Sequence, residues 1–260
     1  MKLLRIIILT LLLLPYQQFS QSLADKNILV VWGGWDGHQP ELFANQIEEW
    51  LISQNANYKL YNGVEAYDDY DELIKYDLII QSITMGELKG KGASNLLKAV
   101  RNGVGIAGAH GGLGDSFRNN TGYQFMIGGQ WVSHPGGKVN FTVNMLEDEL
   151  TEGLNDFEIY SEQWYVHYDP NVEIIASTTF DGEIFDWIEG VVMPIAWKKR
   201  YDKGKVFYLS IGHDPLEFKK HEDGWKLVKN VKILTSNFEN LMVENQNKIS
   251  NTIINIDKTN

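Results

Sequence analysis

NILVVWG, residues 27–33, is a continuous apolar run with β-branched residues and a glycine stop. That is the composition of a strand buried on both faces, as in a parallel sheet, rather than an alternating strand with one wet side. Directly after it, Leu42, Ile47, Trp50 and Leu51 recur at helix-like spacings across residues 40–53, and Pro40 suits a first helical turn. YKLYNG (58–63) and YDLIIQSI (76–83) read as further strands. SNLLKAVRNG (94–103) reads as a helix closed by Gly103, and GVGIAGAH (103–110) as a fourth strand whose Gly and Ala admit close backbones. This alternation predicts an α/β fold, a mostly parallel sheet with helices on both faces.

The second half changes character. KVNFTVN (138–144), EIIASTTF (173–180) and VVMPIAWKKRYDKGKVFYLSIG (191–212) are strand-like with short turns, which predicts an antiparallel extension of the sheet. WKKRYDKGKVFY reads as a hairpin in which Gly204 supplies a positive φ. KLVKNVKILTSNFENL (226–241) is expected to close the domain as a helix, with Leu227, Val231 and Leu234 on one stripe. Residues 1–22 carry Lys2 and Arg5, an apolar run from Ile6 to Leu14, then Pro15, Ser20 and Ser22, the pattern of a secretory signal peptide. The expected organisation is a signal peptide (1–22), one domain (23–241) and an Asn- and Lys-rich C-terminal tail (242–260). The chain is expected to be exported, periplasmic or extracellular, with no membrane insertion once the leader is cleaved.

Removing residues 1–22 shifts the net charge from −11 to −13, which disfavours nucleic acid and anionic membrane as partners. There is no cysteine, so neither disulfides nor a lipid-anchored cysteine contribute. The 8 Trp and 12 Tyr can cover the apolar faces of sugars as well as fill a core. Four histidines fall just after strand-like runs: His38, His110, His134 and His213. The carboxyl ends of strands in an open parallel sheet share one edge, so these imidazoles are expected to converge there. Trp35 and Asp36 in GGWDGH, and Trp131 and His134 in GGQWVSHPG, lie in polar, Gly-rich stretches and are candidate substrate-binding residues. Asp115 is a loop acid suited to a sugar hydroxyl or to its own backbone, while His167 and His221 read as surface residues.

WGGWDGHQP, GVGIAGAHGG, GGQWVSHPGG, SEQWYVHYDP and GKVFYLSIGHD, taken in order, resemble the successive motifs of the trehalose-utilisation (ThuA-like) proteins. The resemblance implies a fold similar to class I glutamine amidotransferases, a flavodoxin-like parallel sheet. Amidotransferases of that fold carry a nucleophilic Cys on the turn after a central strand, whereas the matching position here is His110 in Gly108-Ala109-His110-Gly111-Gly112. An imidazole cannot supply the thiolate's leaving-group chemistry, so glutaminase activity is excluded. By the same resemblance Glu162, in SEQWY, is an acid expected in the pocket, and Tyr165 a phenol that points into the same cleft; the alternative is that Trp164 and Tyr165 only fill the core.

Three uses of the pocket follow. His38, His110 and His213, with Glu162 or His134 as further donors, suit a divalent cation such as zinc, although no local ligand signature is present. Alternatively His110 and His213 act as acid and base without a metal, or the histidines are structural. The resemblance implies carbohydrate metabolism beside oxidoreductases that make 3-keto sugars, and hence a lyase or hydrolase acting on a keto-glycoside or disaccharide. Its expected partners are a small carbohydrate and a sugar oxidoreductase, with a homo-oligomer left open. The competing function is a non-catalytic sugar-binding protein of the cell envelope with Trp35, Trp131 and Trp164 as stacking platforms.

Overall fold

The computed structural model describes residues 22–235. The expected signal peptide, apart from Ser22, and the expected tail lie outside the described residues. Eleven strands are described: β1 (Asn27–Gly34), β2 (Asn57–Asn62), β3 (Leu78–Thr84), β4 (Gly105–Ala109), β5 (Gly129–Ser133), β6 (Lys138–Met145), β7 (Phe157–Glu162), β8 (Tyr165–Tyr168), β9 (Glu173–Thr179), β10 (Val192–Tyr201) and β11 (Gly204–Leu209). Nine form one sheet in the order β2-β1-β3-β4-β11-β10-β9-β6-β7, and β5 pairs with β8 in a small second sheet. From β2 to β11 the pairings are parallel; from β11 outward to β7 they are antiparallel. The parallel half therefore has the flavodoxin-like order, whose direction of winding reverses between β1 and β3. Ligands of such sheets bind beyond the strand ends at that reversal.

Successive residues of a strand point to opposite faces, and both faces here are covered. Ile28 and Val30 pack with Phe43, Ile47 and Leu51 of the Pro40–Ser53 helix, and with Leu227, Val231 and Leu234. Leu29 and Val31 face Leu96 and Val100 of the Gly90–Arg101 helix and Met126 and Ile127 of the Thr121–Ile127 helix. That two-sided burial is why β1 lacks alternation. Pro40, Phe43 and Ala44 are buried in the first helical turn and a half, and Leu42, assigned to the stripe from spacing, is only half-buried.

Two local expectations are corrected. The closing helix runs from Glu222 to Lys229 and tightens into a 3-10 turn over Asn230–Thr235, with residues 236–241 outside the described ones. In the β10–β11 hairpin the positive φ belongs to Asp202 (57°), not to Gly204. Asp tolerates that region through its short polar side chain. Gly204 is required for another reason: a Cβ there would overlap the backbone carbonyl of Val100. We expect Gly204→Ala to destabilise the protein by about 1–3 kcal/mol and Asp202→Gly to stay within about 1 kcal/mol. Urea denaturation checks both; an unchanged midpoint for Gly204→Ala would disprove the packing argument.

Candidate functional site

Five strand ends build the site, four of them parallel. His38 follows β1 in a 3-10 turn (Asp36–His38), Thr84 ends β3, His110 follows β4 and His213 lies shortly after β11. Glu162 arrives from the antiparallel half as the last residue of β7. The imidazoles meet edge to face: ring centroids are 4.6 Å apart for His38 and His110, 5.1 Å for His38 and His213, and 5.5 Å for His110 and His213.

Glu162 sits at the centre of these contacts. His110 Nε2 is 3.2 Å from its Oε2 and His213 Nδ1 is 3.1 Å from its Oε1. Trp164 Nε1 donates to Oε2 at 3.0 Å. His134 Nε2 stands further off, 3.9 Å from Oε1. Burial opposes ionisation of this carboxyl, but the close approach of the His110 and His213 imidazoles and the Trp164 indole outweighs it and holds the group well below the usual carboxylate range. His38 is lowered to about 3, first by burial and then by the neighbouring His110 and His213. Burial also lowers His110, against the opposing pull of Glu162. His38 Nδ1 is 3.1 Å from Thr84 Oγ1, which fixes the ring's rotation.

His110 occupies a strained turn. Its backbone lies at φ 48°, ψ −138°, a region that costs a non-glycine residue about 1–3 kcal/mol and persists where a site over-determines it. The turn places the imidazole between β4 and the short helix Gly111–Gly114. Gly111 completes the arrangement, because a Cβ there would collide with the His38 ring. Among the described residues, His38, His110, Glu162 and His213 each offer one ligand atom, and these atoms lie within 4.8 Å of one another. His110 Nδ1 is buried without a hydrogen-bond partner. Three imidazoles and a carboxylate are the donor types of catalytic zinc sites, so the group could hold a divalent ion. Glu162 belongs in that set beside the three histidines expected from sequence.

The other candidates divide. Trp35 is 48% exposed and its ring meets His38 at 4.8 Å, at the mouth of the site; Asp36 beside it is exposed. Trp131 packs between His134 (5.7 Å) and Trp164 (6.2 Å), with the Arg118 guanidinium 4.6 Å from its ring. Trp164 is 1% exposed, so it cannot stack on a sugar as the binding-protein reading required. Its ring lies 4.1 Å from that of His110 and supports it instead. Tyr165 packs on Phe180 (6.1 Å), and its phenol takes no part in the contacts joining the histidines to Glu162. Asp115 is buried against Arg118 and Gln130, which answers whether it is free for a ligand. His167 is exposed, whereas His221 is half-buried and stacks on Phe157. Thr84 went unnoticed in the sequence, although its place at the end of the strand beside the reversal was a usable signal.

The family model described as ThuA, trehalose utilisation, matches residues 27–229. No curated protein matches the chain by sequence. Among solved structures, a ThuA-like protein of Bacteroides uniformis superposes with a TM-score of 0.63 at 18% identity, covering 84% of this chain and 93% of its own. A ThuA-like protein of Parabacteroides merdae gives 0.65 at 12% identity, with 82% and 90% covered. The mmIFT52 N-terminal domain gives 0.54 at 15% identity, with 79% and 94% covered. At these identities the likeness concerns the fold, which in the ThuA-like neighbours is that of the glutamine amidotransferases.

Proposed function

The chain belongs to the trehalose-utilisation (ThuA) family, and on that premise we propose that its histidine–glutamate cluster cleaves a 3-keto glycoside by carbon-acid chemistry. The observation that carries this reading is a single carboxylate, Glu162, engaged on both oxygens by imidazoles from two different strand ends. Ordinary glycoside hydrolysis needs two facing carboxylates, and the cluster holds one. Acyl transfer from glutamine needs a thiolate where His110 stands.

A ketone at C3 acidifies the hydrogen at C2. His213 takes that proton: its Nδ1 faces Glu162, so the lone pair lies on Nε2, in the manner of a carboxylate-oriented imidazole base. The electron pair passes into the C2–C3 bond as the ketone becomes an enediolate, which forms beside the imidazoles of His110 and His38. The enediolate then expels the C1 oxygen substituent, which leaves as the alcohol after protonation, and the C3 ketone re-forms conjugated to a C1–C2 double bond. Water adding across that bond gives net hydrolysis. His38, His110 and Glu162 would hold a divalent cation, whose chemistry there is Lewis-acid polarisation of the ketone. Trp35 at the mouth and Trp131 inside cover the sugar's apolar face, with Asp36 and His134 toward its hydroxyls. We further propose export of the chain, with a sugar oxidoreductase supplying the ketone.

Untagged protein is expected to release the alcohol from methyl 3-keto-glucoside and to wash deuterium from C2 into solvent. Elemental analysis of the same sample is expected to find one divalent metal per chain. Retention of C2 deuterium in a substrate that is nevertheless cleaved would overturn the elimination route, and absence of both cleavage and exchange would overturn the enzyme reading.

A further inference from the structure

A cavity of about 330 Å³ lies beside the cluster, walled by the β6–β7 pair and by the loop around residues 180–188. Two stretches of chain join them. Pro135 on its wall follows His134, and Gln163 follows Glu162. In the β6–β7 ladder, Lys138 stands opposite Glu162 and Asn140 opposite Tyr160, so the cavity's wall is the next rung of the ladder that carries the catalytic carboxylate. Two residues of strand advance ~7 Å, about the length of one pyranose unit.

The wall chemistry is mixed in a particular way. Tyr160 and Phe185 are exposed residues (57% and 42%), above a floor of buried Phe180 and Ile188. Around them stand the carboxylates of Asp181 and Glu183 and the side chains of Lys138 and Asn140. The loop is built rather than slack. Asp181 Oδ1 accepts from the Glu183 amide at 2.9 Å, and Phe185 stacks on Trp187 with centroids 5.7 Å apart. A wholly apolar ligand would strip water from two carboxylates without replacing it, and an anionic one would meet them as like charges, since the Lys138 ammonium is already paired with Glu217 at 2.8 Å. A neutral polyhydroxylated ring satisfies both demands, laying its C–H face on the aromatics and its hydroxyls toward the carboxylates and amide.

We propose that this cavity is the subsite for a neutral second sugar unit of the substrate, with Tyr160, Phe185 and Asp181 setting specificity for it. The proposal rests on the elimination reading of the adjacent cluster. Binding energy from a remote unit is used to orient the reacting one, so 3-keto-trehalose should exceed methyl 3-keto-glucoside in kcat/KM by about 10- to 100-fold. Tyr160→Ala and Phe185→Ala, both at exposed positions, should remove most of that preference while methyl 3-keto-glucoside turnover stays within about twofold. A 3-keto-trehalose phosphorylated on the second unit should be a poor substrate, and Asp181→Asn should improve it.

Equal losses on both substrates, or no loss on either, would overturn the subsite. If the wild type turns over neither substrate, the elimination reading fails and the subsite is judged by calorimetric titration with unoxidised trehalose. Binding that Tyr160→Ala and Phe185→Ala weaken at least tenfold upholds it; no binding, or binding that both variants leave intact, rejects it.

Discussion

Glu162→Gln is expected to lower kcat on 3-keto glycosides by roughly 10³- to 10⁴-fold while leaving the far-ultraviolet circular dichroism unchanged, the scale seen when a carboxylate that orients a catalytic imidazole becomes an amide. The substitution keeps volume and shape. It removes the charge that receives His110, His213 and Trp164, and it places an NH₂ group where one of two acceptor oxygens stood. Whichever way the amide turns, one of those donors faces another donor. His213 then gains nothing from carrying its proton on Nδ1, and the population with a basic Nε2 facing the substrate falls. The effect should appear in kcat more than in KM, because the group acts on the proton transfer and not on sugar binding. A decrease smaller than tenfold, with C2 exchange still rapid, would remove Glu162 from the chemistry and leave it a structural acceptor for Trp164.

Much of this site was legible in the chain because its parts are written locally. A buried parallel strand is an apolar run, and a histidine within a few residues of its end is placed at the sheet's edge by topology alone. His38, His110 and His213 were found in that way, and the structure brings all three to Glu162. What stayed hidden depends on pairing between distant segments. The β5–β8 pair has no strong alternation, and its partners are more than thirty residues apart. Trp164 looks like a sugar platform until β7 and the strained His110 turn, the elbow of the site, enclose it. The turn glycine was misjudged for a related reason. Gly204 answers to the Val100 carbonyl of a helix a hundred residues earlier, which no local turn rule can register.

The second large effect concerns what holds the elbow still. Gln81 is fully buried on β3, and its amide is used at both ends: Oε1 accepts from Tyr67 Oη at 2.8 Å, and Nε2 is within reach of Tyr123 Oη (2.7 Å), Ser116 Oγ (2.8 Å) and the Gly112 carbonyl (3.2 Å). Gly112 and Ser116 belong to the turn and helix directly after His110, so one side chain ties β3 to the backbone that strains His110 into place. Gln81→Leu conserves most of the volume and deletes every one of these bonds. Tyr123 and Ser116 retain other acceptors in the Leu113 and Gly112 carbonyls, but the buried Tyr67 hydroxyl loses its acceptor. The expected loss is about 2–4 kcal/mol, or a fall in Tm of roughly 5–15 °C for a domain of this size. The assignment of that loss to an orphaned hydroxyl is tested by adding Tyr67→Phe. Removing both partners of a buried bond is far less costly than removing one, so the double variant should recover about 1–2 kcal/mol relative to Gln81→Leu. A double variant less stable than Gln81→Leu would mean that the cost comes from packing under the elbow and not from the hydrogen bonds.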